Sequence, residues 1–164
     1  MLFRSYICDA AANRIYRARR DGTLELFAGS GAAGLSGNGG RAAAATLRSP
    51  RAISFDPSGN LFIADTGNSE VRAVLAGAGT IIRVAGGRQG FSGDGGPAIV
   101  AALNRPRGCA ADSDGNVYVA DTDNHRIRAV SAVVLESGPA EIEDAYEDDG
   151  SPRGRSARDE PADE

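Results

Sequence analysis

The chain has 164 residues, 41% of them apolar and only 5% aromatic, with 22 glycines, no tryptophan and a net charge of −4. That length makes one domain or a little more. No apolar run nears the ~20 residues of a membrane helix, and Met1-Leu2-Phe3-Arg4 meets a charge too early for a secretory signal, so the default compartment is cytoplasmic. A single histidine, His125, excludes a histidine triad, and Cys8 and Cys109 are too few for a disulfide framework or a zinc site.

The charge is unevenly spread. All 18 basic residues are arginines; residues 1–135 hold 15 of them against 11 acids, and residues 136–164 hold 3 against 11. The second stretch is rich in Glu, Asp, Pro, Ser and Gly and cannot bury enough apolar surface to offset the entropy of ordering. It reads as an acidic disordered tail, 136–164, and cutting the chain after Leu135 is expected to leave the fold intact.

The body repeats with a period of 56: Asp9, Asp65 and Asp121 share one register, as do Ile15, Val71 and Ile127. In the first copy Tyr6-Ile7-Cys8-Asp9 and Leu24-Glu25-Leu26-Phe27-Ala28-Gly29 read as strands, with a hairpin turn at Asp21-Gly22. The register puts this copy's innermost strand ahead of Met1. A run of 22 residues, 29–50, follows and holds a helical turn at Arg41-Ala42-Ala43-Ala44-Ala45-Thr46-Leu47.

The middle copy reads as four strands, a at 52–55, b at 61–64, c at 70–75 and d at 80–85. Asp56-Pro57-Ser58-Gly59 suits a type I turn, and Asp65-Thr66-Gly67-Asn68 is a turn in which the Asp65 and Asn68 side chains hold backbone N–H groups. The second long run, 86–106, opens its helical turn on Pro97. Leu47 and Leu103, one period apart, are expected to tuck between neighbouring blades. The third copy holds strands a, b and c, and has Ala132-Val133-Val134-Leu135 to draw on for d.

Four antiparallel strands at a fixed period make a β-propeller blade. The predicted fold is all-β: an incomplete propeller of about three four-stranded blades, with short helical turns in the interblade loops. A partial blade occupies about 1–28, a full blade 51–86 and a third blade 107–135. Closed propellers need about 4–8 blades, so the expectation is either a fragment of a longer propeller or copies that self-associate through open blade edges.

Asp121-Thr122-Asp123-Asn124-His125-Arg126-Ile127-Arg128, preceded by Asp112-x-x-Gly115-Asn116-Val117-Tyr118-Val119-Ala120, resembles the core motif of NHL-repeat propellers. Gly90-Phe91-Ser92-Gly93-Asp94-Gly95-Gly96-Pro97-Ala98 is similar to the long interblade loop of many bacterial-type members. The resemblance covers residues 5 to about 131, and departs from the pattern at Asn68-Ser69-Glu70 and Ala12-Asn13-Arg14. It implies a non-enzymatic interaction module that binds a protein or peptide. The alternatives it leaves open are part of a six-bladed hydrolase- or lactonase-like enzyme, and an RNA-binding propeller.

In such a blade the tight a–b and c–d turns share one end, while the b–c turns and long d–a loops share the other, where function is expected. Asp65 and Asp121 are read as turn architecture together with Asn68 and Asn124, because repetition in every copy favours structure over a unique site. Asn38 and Asp94 are read as turn-formers, since neither brings the string of oxygen ligands that calcium needs. Arg51 and Arg107 follow the prolines that lead into strand a; as a pair near the channel mouth they could clamp a carboxylate or phosphate, or each could pair with an acid or a blade carbonyl. His125 is expected to bond within its blade, and Cys8 and Cys109 to be buried, inert thiols. No catalytic set, metal or cofactor is implied. Nucleic acid is disfavoured by a body excess of four positive charges and few aromatic rings.

Overall fold

Leu61-Phe62-Ile63-Ala64 is apolar at every position, and a strand of that kind has to be covered on both faces. The computed structural model, which describes residues 5–131 and the backbone of 141–144, places it inside the middle one of three antiparallel blades. The first blade is β1 (Ser5–Asp9), β2 (Arg14–Ala18) and β3 (Leu24–Ala28), in that order. The middle blade is β4 (Ala52–Phe55), β5 (Leu61–Asp65), β6 (Glu70–Val74) and β7 (Ile81–Gly86). Two-residue pieces β8 (Arg88–Gln89), β9 (Gly96–Pro97) and β10 (Ala102–Leu103) belong to the second long loop. The last blade is β11 (Gly108–Ala111), β12 (Val117–Asp121), β13 (Arg126–Val130) and β14 (Glu141–Asp144).

The blades repeat in register as well as in sequence. Leu61 faces Val74 and Asp65 faces Glu70 across β5 and β6; Val117 faces Val130 and Asp121 faces Arg126 across β12 and β13. The b–c turns are short 3₁₀ pieces, Thr66–Asn68 and Thr122–Asn124, each closed by a left-handed residue, Ser69 and His125. Asn13 has the same left-handed backbone in the first blade. The strand after such a turn is fixed closely against the glycine that ends strand d. A Cβ on Gly86 (φ +85°) would lie 2.5 Å from the Ser69 carbonyl oxygen, and one on Gly29 (φ +86°) would lie 2.2 Å from that of Asn13. Only glycine fits there.

Both long loops are built alike. Each holds a 3₁₀ turn, Ala42–Ala44 or Ala98–Val100. Each folds back on itself through matched amide bonds: Gly34 N to Leu47 O at 3.1 Å and Gly90 N to Leu103 O at 3.0 Å. The loops deliver Leu47 and Leu103 into the two apolar layers between blades, where both are fully buried. One layer joins Ile15 and Ala28 to Leu61, Ile63, Val74 and Ile81 through Leu47. The other joins Phe62, Val71, Ala73 and Val84 to Val117, Val119 and Val130 through Leu103. Alternation along β5 thus feeds both neighbours, which is why the strand has no polar face. Edge-to-face contacts of Tyr6 with Phe27 and Phe55, at 5.0 and 4.7 Å between ring centroids, add to the first layer.

The last blade departs from the expectation. Residues 132–135 lie outside the described residues, and strand d is supplied from inside the stretch read as a disordered acidic tail. β14 pairs with β13 (Val130 with Ile142, Ala129 with Glu143) and with β9 (Ile142 with Gly96, Glu141 with Pro97). That is the same environment β7 has in the middle blade, where Val74 faces Ile81 and the Ile81 amide donates to Gly40 O at 2.9 Å. Ladder bonds come from the main chain, so the two unpaired edges of β13 and β9 select a strand here without requiring an apolar sequence.

Among the described residues no helix is long and apolar enough to cross a membrane.

Candidate functional site

The long-loop end of the molecule is held by two buried arginines that the sequence reading did not single out. Arg72 on β6 and Arg128 on β13 are fully buried. Arg72 donates from Nη1 to Thr46 O at 2.8 Å, from Nη2 to Ser36 O at 3.1 Å, and from Nε and Nη2 to Asn38 Oδ1 at 3.1 and 2.9 Å. Arg128 repeats the pattern on the next loop, with Ala102 O at 2.7 Å, Ser92 O at 3.0 Å and Asp94 Oδ1 at 3.0 and 2.5 Å. Each guanidinium therefore pins a long loop to strand c of the blade that follows it. Asn38 and Asp94, expected as turn-formers, act as acceptors for these arginines. The signal was present in the sequence as two arginines and two Asn/Asp residues, each pair one period apart.

Asp65 and Asp121 complete the fastening. Each keeps a side-chain bond within its own turn, while the backbone amide it holds belongs to the preceding long loop. Asp65 Oδ1 accepts from Arg48 N at 2.7 Å and Asp121 Oδ1 from Asn104 N at 2.6 Å. The second oxygen accepts from Asn68 Nδ2 at 2.8 Å and from Asn124 Nδ2 at 2.7 Å. Those amides also donate to loop carbonyls, Asn68 to Gly34 O at 2.6 Å and Asn124 to Gly90 O at 2.8 Å. Burial raises both aspartate pKa values, against the lowering effect of these donors and of Arg72 or Arg128. Asp9 in the first blade does stay local, accepting from Ala11 N and Ala12 N at 3.1 and 2.9 Å.

The charge around the two arginines is balanced differently. Arg128 has Asp121 at 3.6 Å and Asp94 at 2.5 Å. Arg72 faces neutral Asn38, and its carboxylates are Asp65 at 3.7 Å and Glu70 at 3.4 Å. Glu70 stands where the neighbouring copies have Arg14 and Arg126. It is fully buried, neither oxygen has a hydrogen-bond partner among the described residues, and burial pushes its pKa up to about 7.

Arg51 and Arg107 have different surroundings. Arg107 lies 3.8 Å from Asp123. Arg51 lines a polar concavity of about 270 Å³ on the long-loop face, together with Arg48, Ser49, Thr66, Gly67, Ser69, Gln89 and Arg105. The junction is tied across the blades: Thr66 Oγ1 donates to Pro106 O at 2.6 Å. His125 is exposed, and its backbone N–H donates to Thr122 O at 3.0 Å. Cys8 on β1 and Cys109 on the inner strand β11 are free and half-buried, and burial raises their pKa values to about 11 and about 12. Cys8 donates to Pro50 O at 3.2 Å. β4 and β11 adjoin, and the Ala111 amide donates to Ser54 Oγ at 3.2 Å. Among the described residues, no three His, Cys, Asp or Glu side chains converge as a metal set.

Comparison with known proteins agrees with this architecture. The family model for the NHL repeat matches residues 103–129. Teneurin-1 of Mus musculus is 40% identical over 99 residues, covering 52% of this chain and 4% of the relative. The chain thus spans only about 4% of the length of the curated relatives it matches. A solved protein of unknown function from Bacteroides thetaiotaomicron superposes with a TM-score of 0.69 at 22% identity, over 85% of this chain and 32% of that one. Another, described as a candidate gluconolactonase, gives 0.58 at 17% identity, over 86% of this chain and 45% of that one. At those identities the likeness is one of fold. Residues 103–129 match the NHL repeat, and the described residues form a run of β-propeller blades.

Proposed function

We propose that these blades form a non-enzymatic interaction module that binds a protein or peptide partner on the long-loop face. The observation that carries the reading is the double arginine fastening. Loops of about twenty residues would ordinarily be mobile, whereas Arg72 and Arg128 hold both in one conformation and so present a preorganised surface. The inner strands support the same reading: of the two side chains on β4 and β11 with a polar atom, Ser54 already accepts the Ala111 amide and burial raises the Cys109 thiol pKa to about 12. A hydrolase needs convergent acid, base and electrophile groups, and these strands offer none.

The test is selection of a displayed random peptide library against the full chain. Enriched peptides should lose binding on Phe91→Asp, on the long-loop side, and keep it on Leu24→Asp, on the c–d side. Absence of any enriched peptide, or lactone hydrolysis above the buffer rate, overturns the reading.

A further inference from the structure

We propose that the concavity at the junction of the middle and last blades is a subsite for the carboxylate side chain of an acidic peptide, bound by Arg48, Arg51 and Arg105; the assignment rests on the interaction-module reading above. Three arginines converge there beside the neutral donors Ser49, Thr66, Ser69 and Gln89. Like charges brought together call for a counter-ion. Among the described residues Arg48 and Arg51 have no ion pair, and Arg105 reaches only Asp123, at 3.7 Å with half of its side chain exposed.

The repeat itself shows what has been left out. One period after Arg48 and Gly67 stand Asn104 and Asp123. The backbone contact is the same in both blades, Gly67 N to Arg48 O at 2.8 Å and Asp123 N to Asn104 O at 3.1 Å. In the last blade the turn thus brings its own carboxylate, which engages Arg105 and Arg107. In the middle blade glycine removes that carboxylate and makes room for an arginine. A Cβ on Gly67 would lie 2.4 Å from Arg48 Cγ and 2.8 Å from Cδ, so the stem of Arg48 lies across the turn where a side chain would be. The pair Arg48 and Gly67 therefore concentrates positive charge and leaves the neutralising group to a ligand.

The lining selects the kind of ligand. A guanidinium fork matches a carboxylate through two parallel hydrogen bonds. No aromatic ring lines the concavity, so it offers no stacking platform for a nucleobase. Its volume of about 270 Å³ suits one side chain rather than a nucleotide chain.

The experiment is fluorescence anisotropy on the full chain with a labelled decapeptide of alternating Glu and Gly, its Gln counterpart, and a labelled oligouridylate. The Glu peptide should bind and the Gln peptide should not. Arg48→Gln, Arg51→Gln and Arg105→Gln should each weaken binding about tenfold, while Arg20→Gln, at the opposite end of the first blade, should change nothing. If the Glu peptide fails to bind, or binds the three variants equally, the subsite is wrong; library-selected peptides that still bind the long-loop face would then leave the module reading standing, and none binding would remove both. Oligouridylate bound more tightly than the Glu peptide, with the same dependence on Arg51, overturns the assignment in favour of RNA.

Discussion

Arg72 and Arg128, one period apart, make the same bonds to two different loops: Nη1 to Thr46 O at 2.8 Å in one case and to Ala102 O at 2.7 Å in the other. Neither touches solvent, so each is a buried cation whose desolvation is offset by carbonyls and carboxylates arranged around it. Removing the cation strands those acceptors.

Arg72→Met and Arg128→Met should therefore each lower stability by about 3–5 kcal/mol in urea titrations. Hydrogen exchange separates the two. Loss of Arg72 should expose amides around Thr46, and loss of Arg128 those around Ala102. Exchange that rises equally in both loops would show that the fastening is not local.

Asp121→Ala and Asp65→Ala should each cost about 1.5–3 kcal/mol, since a buried carboxylate loses a loop amide, a turn amide and its contact with arginine. Asp9→Ala should cost about 1 kcal/mol or less, because its carboxylate caps only its own turn. Equal midpoint shifts for all three variants would place the aspartates in one local role.

Glu70 gives the middle blade a pH dependence. Its folded pKa of about 7 lies above the ordinary 4.5, so the folded state holds a proton that the unfolded state releases between those values. Stability from this group is fully present below pH 4.5 and is lost as pH rises through 7. Raised Asp65 and Asp121 act in the same direction at lower pH. Glu70→Gln should flatten the fall in stability between pH 5 and 8, by an amount on the order of 3 kcal/mol at pH 8. A variant whose profile parallels the parent's would clear Glu70 of this role.

Ile142→Pro should release β14, because the position pairs with Val130 on one side and Gly96 on the other and proline cannot donate to a ladder. The β13 amides that face β14 should lose protection while those of β5 and β6 keep theirs. The same loss is expected on truncation after Leu135. Unchanged protection along that edge of β13 would mean that it does not depend on this partner.

What the sequence makes legible is whatever short-range chemistry determines. Asp-Pro-Ser-Gly turns, alternating strands and the recurrence of Asp9, Asp65 and Asp121 lead directly to blades, and Leu47 and Leu103 to the layers between them. Arg72 and Arg128 stay hidden because a charged residue inside a strand reads as its solvated face; only the company of Asn38 and Asp94, thirty-four residues upstream, gives them a buried role. β14 stays hidden because its acidic composition says nothing about main-chain pairing. Arg51 could be placed near a loop mouth, but its partners Arg48 and Arg105 come from two junction segments whose approach depends on the Thr66 bond to Pro106.

The relocation of one carboxylate, from loop position 94 to strand position 70, means that the blades are not interchangeable parts. Grafting the second long loop in place of the first would surround Arg72 with three acids, Asp65, Glu70 and the copy of Asp94. The reciprocal graft would leave Arg128 with Asp121 alone and bring a neutral amide where an acid had been. A duplicated unit that begins as a copy thus becomes tied to its own loop, and any recombination between blades has to move loop and receiving strand together.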